Sequence, residues 1–417
     1  MSNSDFAEDG RSIRVLDYLA YVPTLHFGMT EQEFAQYSST REPRSVLLAM
    51  LRDELGWHVS IHTLSLTESR RCQLPPLNIP IHFHKVSGGS VVRVLKPFEP
   101  ARRRFLRFLA SVRFWRELVK TKPQLFIFRG NLYSMFSHVL GRYLDAKGIP
   151  YIFEEHSIRI VVDRSCRRFA HRAKKVIVLT DETAAAYVRG YGLAKENVVV
   201  VSNGVLTDRF IPARDRANQE FPRLAFAGHQ THAKGFDIAL QCLAAVRKRW
   251  PKAQLEVAGV PLPNSQSFAE TALSALSPED RSAVVLHGWL NTDELISLYH
   301  RADILLFPSR AGNDGHEGEP RVVLEAMSCG LPVAAIDGSG GHCSIIARSG
   351  TGRLAETSSG YCEAVVDYLS EPRRVSEDRD QVRNFVAKTY AISKVYETYK
   401  ACCLEAINGD ERRGNPV

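Results

Sequence analysis

Short runs of β-branched and aromatic residues alternate with helical stretches along this chain, and the alternation runs in two series. In the first, strands are expected at 12–19, 58–64, 124–129, 151–155, 175–179 and 197–202, with helices over 44–55, 131–147 and 181–191. The second opens with a strand at 223–227, a helix over 236–250 and a strand at 254–258, followed by strands at 284–287, 304–307 and 332–336. Strands separated by helices return as parallel neighbours, and the helices cover both faces of the sheet. The expected fold class is α/β, with two doubly wound, Rossmann-like domains.

A chain of 417 residues has room for two or three such domains. The break falls at 203–212, where SNGVLTDRFIP (from residue 202) carries turn residues and no periodicity. The expected division is 1–205 for the first domain and 206–381 for the second. The remainder, 382–417, reads as a helix over 382–407 packing back on the first domain, then a frayed tail. Open α/β sheets bind ligands beyond the carboxyl ends of their strands, so the expected site is a cleft between the two domains.

Composition narrows the class. Hydrophobic residues are 44% and charged residues 24% of the chain, which excludes global disorder and fibrous folds. Lys and Arg number 54 against 46 Asp and Glu, a net charge of +8, which favours anionic partners without choosing among them. The eight cysteines form no C-x-x-C pair, so zinc ribbons and dithiol redox chemistry lack support and reduced thiols are expected. The opening stretch MSNSDFAEDGRS is polar, and no apolar run nears the roughly 20 residues that span a bilayer. A cytoplasmic protein is expected, lying on a membrane surface if it meets one.

Two motifs in the second series carry chemistry. In LAFAGHQTHAKGFDIAL (224–240) a strand ends at Ala227-Gly228, and Lys234-Gly235 opens a helix after a short loop. A lysine there can set its ammonium beside phosphate drawn to the helix N-terminus, although a lysine at a helix start is more often merely solvated. The loop is not a P-loop, because G-x-x-x-x-G-K-[ST] is absent. In HEGEPRVVLEAMSCGLPVAA (316–335) Glu317 and Glu325 flank seven residues, and Pro320 suits the first turn of a helix. Such carboxylates can each accept two hydrogen bonds from vicinal hydroxyls, and the free backbone N–H groups near Gly318–Arg321, Pro320 itself having none, suit a diphosphate. The plain alternative is helix-end charge for Glu317 and a surface ion pair for Glu325.

The order and spacing of these segments, with SNGVLTDRF before them and VVLHGWLNTDELISLYHRADILLFPS between them, resemble the retaining glycosyltransferases of family four, which have the GT-B fold. The resemblance is strong over 176–356 and weak before about 150. Glu317 and Glu325 match the family's E-x7-E. The similarity implies a nucleotide-sugar donor, with Glu325 on ribose, Glu317 on the donor sugar and Lys234 on the departing diphosphate. The loop at Gly288-Trp289 would face the nucleobase. It also implies transfer of a hexose with retained configuration. The acceptor reads as a lipid-linked or polysaccharide glycan. No cofactor is expected, and no metal, since no D-x-D lies in the proposed cleft. The chain departs from the family at His229, where arginine is usual, so one phosphate contact becomes weaker and pH-dependent. Residues 310–316 read as a small insertion, and the loop 20–32 holds only Gly28 where a glycine pair is common.

Two features lie in the first series. His156, in PYIFEEHS, follows a strand and is a loose match to a family histidine near the acceptor; a hydrogen-bonded loop histidine is the plain alternative. The segment 101–122 holds Arg102, Arg103, Arg104, Arg107, Arg113, Arg116, Lys120 and Lys122 against Glu117, with Phe105, Phe108, Leu109, Val112, Trp115 and Val119 at helical spacing. Such a helix suits an anionic membrane surface, or packs on the sheet with a solvated basic face. Nucleic acid is not expected, since no recognised binding motif accompanies the charge. A non-catalytic module that binds sugar nucleotide, or scaffolds an assembly, stays open beside the enzyme.

Overall fold

The structure is a computed structural model, and it describes residues 15–19, 30–40, 42–65, 69–85, 112–130, 135–156, 164–214, 220–262, 264–310, 318–338 and 340–411. The chain forms two compact units. Unit 1 comprises 1–156, 160–202 and 395–417, and unit 2 comprises 157–159 and 203–394.

Unit 1 is built on β1 (Val15–Leu19), β2 (His58–Ser65), β3 (Arg70–Cys72), β4 (Ile81–Lys85), β5 (Leu125–Arg129), β6 (Tyr151–Glu155), β7 (Lys175–Val178) and β8 (Val198–Val200). Their order in the sheet is β3-β4-β2-β1-β5-β6-β7-β8, parallel except for the β3–β4 pair. Its helices are α1 (Glu31–Thr40), α2 (Pro43–Leu55), α3 (Val112–Thr121), α4 (Met135–Ala146), α5 (Arg164–Arg172) and α6 (Asp181–Tyr191). The start of α2 shows how locally these elements are specified. Pro43 occupies the first turn, and the Glu42 carboxylate caps it by accepting from the Ser45 N–H at 2.8 Å. The central strands are rich in apolar residues because both faces are covered: Phe126, Phe128, Phe153 and Val176 are buried on one face and Ile127, Ile152 and Ile177 on the other.

The described part of the basic segment is α3. Its buried residues are Phe114 and Leu118, Trp115 is partly buried against the same core and the Tyr143 ring, and Val119 is 50% exposed, so the expected stripe packs at Trp115 and not at Val119. Arg102, Arg103, Arg104 and Arg107 lie outside the described residues, as does the loop 20–29. Among the described residues no helix is long and apolar enough to cross a membrane.

Unit 2 holds β9 (Arg223–Ala227), β10 (Gln254–Ala258), β11 (Val284–Gly288), β12 (Ile304–Phe307), β13 (Val333–Ile336) and β14 (Arg353–Ala355). The sheet is wholly parallel, in the order β11-β10-β9-β12-β13-β14. Its helices are α7 (Phe236–Arg247), α8 (Gln266–Ser274), α9 (Pro278–Ser282), α10 (Thr292–Arg301), α11 (Arg321–Ser328), α12 (His342–Ser349), α13 (Tyr361–Leu369) and α14 (Pro372–Thr389). The single helix expected over 382–407 is instead two, α14 and α15 (Ile392–Glu411). The chain opens at Tyr390 and Ala391 to pair with Val205: the Val205 N–H donates to the Tyr390 carbonyl at 2.9 Å, and the Ile392 N–H to the Val205 carbonyl at 3.0 Å. From residue 395, α15 packs within unit 1, where the Tyr396 hydroxyl donates to the Met50 carbonyl at 3.2 Å and Lys400 pairs with Glu54 at 2.9 Å.

Candidate functional site

In unit 2 the strand order reverses between β9 and β12. The chain moves from β9 outward to β10 and β11, then returns to the far side of β9 with β12. The loops leaving β9 and β12 therefore diverge at a topological switch point, where an open parallel sheet leaves a crevice at its carboxyl edge. Both motif segments lie in these loops. Residues 228–235 join β9 to α7, and residues 308–320 join β12 to α11, of which 311–317 lie outside the described residues. Glu317 is among those, so nothing is placed for it.

The first loop is held by close backbone approach. A Cβ on Gly235 (φ +67°) would lie 2.0 Å from the Pro308 carbonyl oxygen, and one on Gly259, just after β10, would lie 2.1 Å from the Gly228 oxygen. Only glycine permits either contact. Gly228 donates its N–H to Ala258 at 2.9 Å, and the buried Gln230 amide donates to the Gly259 carbonyl at 2.8 Å. Arg310, just past β12, pins the far end. Its guanidinium donates to both Asp237 oxygens, at 2.8 and 2.7 Å, and to the His232 carbonyl at 2.6 Å. Burial pushes the Asp237 acid up, but the hydrogen bond and charge of Arg310 outweigh it and hold the carboxyl below its ordinary range.

Lys234 is half-buried on this framed loop, with Nζ 5.7 Å from the centre of the Phe307 ring at the end of β12. His229 is half-buried beside Trp289, their ring centroids 6.5 Å apart. Burial, then the charge of Lys234, lowers its pKa, and the bond to the Val260 carbonyl opposes them only in part. Near neutral pH the ring is uncharged, with Nδ1–H donating to that carbonyl at 3.3 Å. Trp289 is 56% exposed and follows β11 at the same carboxyl edge.

On the second loop Gly318 is half-buried, Pro320 is buried at the N-cap position of α11, and Arg321 opens the helix. Glu325 is buried within α11, where its charge opposes the lowering that burial imposes on Arg321. Glu319 is also buried. Its Oε2 accepts from the Asn203 N–H and its carbonyl from the Asn203 side chain at 2.8 Å, tying the loop to the start of unit 2. The Ser309 hydroxyl is buried with no hydrogen-bond partner among the described residues.

His156 belongs to unit 1, one residue past β6. Arg129 Nη2 donates to its Nδ1 at 2.9 Å, so the ring proton sits on Nε2, 3.4 Å from Glu154 Oε1. Burial, then the Arg129 charge, pushes the imidazole down to about 3, so this contact is made by a neutral ring. Glu154 is fully buried and also pairs with Arg44, whose guanidinium donates to the Ser202 and Val201 carbonyls at 2.8 and 3.0 Å. Burial would raise the Glu154 acid, but Arg44, the His156 bond and Arg129 hold it far below the usual carboxylate range.

The site thus gathers Gly228, His229, Lys234, Gly318, Pro320, Arg321 and Glu325 on one edge of one sheet, with His156 in the other unit. The motifs did not disclose Gln230, Glu319, Arg310 or Asp237. Arg310 and Asp237 lie 73 residues apart, so no local spacing announces them.

The family described as Glycosyltransferase Family 4 matches residues 47–209, and that described as Glycosyl transferases group 1 matches residues 208–388. Among curated proteins, D-inositol 3-phosphate glycosyltransferase 2 of Catenulispora acidiphila is 32% identical over 219 residues, 49% of this chain and 50% of its own. The match spans about half the length of the first curated relatives. Among solved structures, sucrose-phosphate synthase from Thermosynechococcus elongatus is 16% identical with a TM-score of 0.69, over 93% of this chain and 98% of that one. Anabaena HepE, solved with UDP, is 14% identical with a TM-score of 0.66, over 93% and 99%. At such identities the likeness speaks to fold, and the fold is GT-B. With one matched family ending where the other begins, at the junction of the two units, the chain belongs to the family four glycosyltransferases.

Proposed function

We propose that this protein is a retaining hexosyltransferase that moves a hexose from a nucleoside-diphosphate sugar to a glycan or lipid-linked acceptor, without a divalent metal. The observation that carries the reading is Lys234, held on a glycine-tight loop at the switch point of the unit 2 sheet. Cleavage of a sugar nucleotide places negative charge on the departing diphosphate. A fixed ammonium and the N-terminus of α11 are aimed to stabilise that charge as it develops, which is the role a metal plays elsewhere. In this reading Glu325 takes the ribose hydroxyls and Glu317 the donor sugar. His229, uncharged near neutral pH, contributes shape and a hydrogen-bond acceptor instead of the cation an arginine supplies. His156 acts by orientation, since a ring that gains its proton only near pH 3 is a poor base at neutral pH. The acceptor attacks from the face the diphosphate leaves, so no protein nucleophile is needed.

The test begins with a panel of nucleotide sugars scored by thermal shift. A donor at 100 times its dissociation constant stabilises the native state by about 2.7 kcal/mol. With the donor identified, Lys234→Ala should fold normally and lower turnover about 10²–10³-fold, the cost of one preorganised charge-stabilising donor. Near-normal turnover of that variant at saturating donor would overturn the assignment. Donor binding with no acceptor-dependent release of nucleoside diphosphate would identify a binding module instead.

A further inference from the structure

Helices α4 and α5 of unit 1 flank a half-open groove of about 190 Å³ whose walls are cationic. His138, Arg142 and Asp145 line it from one face of α4, at spacings of four and three residues. Arg164, Arg168 and Arg172 line it from one face of α5, each four apart. Phe169 also lines it and belongs to the unit 1 core. Among the described residues Asp145, paired with Arg172 at 2.7 Å, is the one carboxylate lining the groove, so four guanidiniums there face a single negative charge.

This arrangement works against the isolated helix. Two successive like-charge pairs at i,i+4 spacing destabilise α5, and Arg164 puts a cation at the positive end of the helix dipole. No acidic residue lies within α5 to offset them. On the opposite wall, His138 Nε2 is buried with no hydrogen-bond partner among the described residues. One kind of ligand would relieve all of these: an anion with several acceptor oxygens. The volume equals that of about six liquid waters, room for a phosphate or diphosphate group, and guanidinium forks match phosphate oxygens in pairs. We infer that the α4–α5 groove is a binding site for a phosphate-bearing ligand, either a soluble phosphate ester or the phosphate of a lipid headgroup. The inference stands apart from the proposed donor chemistry, whose residues other than His156 belong to unit 2.

The full chain is titrated calorimetrically with inorganic pyrophosphate, and its co-sedimentation with phosphatidylcholine vesicles is measured with and without phosphatidic acid. The variants are Arg142→Gln with Arg168→Gln, and separately Arg164→Gln with Arg168→Gln. These side chains are exposed, and circular dichroism checks the fold of each. Lys234→Ala removes any contribution of the unit 2 loop. For a soluble ligand, pyrophosphate should still bind in the Lys234→Ala background, weaken with added salt, and lose about tenfold or more in affinity when either double variant is added to that background. For a lipid phosphate, sedimentation with phosphatidic acid vesicles should fall in both double variants while pyrophosphate binds weakly throughout. If both double variants bind both probes as wild type does, or if wild type binds neither, the inference is overturned.

Discussion

Replacing His156 by Gln should remove a large part of the acid sensitivity of unit 1. The histidine is neutral in the folded state, held down to about 3 by burial and then by Arg129, against an ordinary value of 6.5. Its folded pKa lies below its unfolded one, so below 6.5 the unfolded chain binds a proton that the folded chain refuses. The stabilisation is complete above 6.5, lost as pH falls through the window from 6.5 to about 3, and absent below it. Each unit is worth about 1.4 kcal/mol, so acidifying from 6.5 to about pH 5 should cost about 2 kcal/mol and the whole window about 5 kcal/mol. Glu154 does not confuse the upper window. Its acid is also depressed, but its contribution disappears only below the ordinary carboxylate range. Glutamine offers one acceptor for Arg129 and one donor for Glu154 and does not titrate. The assay is the urea midpoint at neutral pH and about pH 5, read by tryptophan fluorescence in a Trp250→Phe, Trp289→Phe background. The two remaining tryptophans, Trp57 and Trp115, both lie in unit 1. Wild type should lose clearly more stability than His156→Gln across that interval. Equal losses would refute the claim that the ring is held neutral by its surroundings.

Two further outcomes follow from the unit 2 site. Gly235→Ala puts a Cβ 2.0 Å from a backbone oxygen at a positive φ, so neither loop can keep its place; melting temperature should fall and Lys234-dependent turnover should be lost together, and unchanged values of both would show that the two loops are not in contact. Glu325→Gln should weaken nucleoside diphosphate binding, measured by calorimetry, more than it lowers turnover at saturation, because ribose is held alike in ground and transition states, whereas Glu317→Ala should do the reverse. The opposite pattern would exchange their roles.

Strands were legible where burial concentrates apolar and aromatic residues in a short run. The expected bounds at 151–155, 223–227, 254–258 and 304–307 match β6, β9, β10 and β12 to the residue. The edge pair β3 and β4 was missed, because RRC and IHFHK carry polar residues that a period-based reading treats as loop. The split between α14 and α15 was also invisible: Tyr390 and Ala391 leave the helix only because Val205 offers a backbone partner from 185 residues away. Lys234 and Glu325 stand out in the sequence because each lies in a contiguous motif. The side chains that hold those motifs in place are recruited across the fold. Arg44 resembles any helix-start arginine until the strand carrying Glu154 is folded against it.

That division has a consequence for how the unit 2 loop works. Stabilising charge on a leaving group is most effective when the stabilising group is already in place, since any reorganisation during the reaction adds to the barrier. Every contact described for the frame of residues 228–237 is to the protein itself: glycine against backbone at two points, Gln230 to the Gly259 carbonyl, and Arg310 across to Asp237 and His232. Lys234 stands on that backbone with Nζ over the Phe307 ring. Arg310 belongs to this frame although residue 310 opens the segment that reads, from sequence, as an insertion. Its guanidinium enters the fold from β12, so the described parts of the two loops of the switch point hold each other in place.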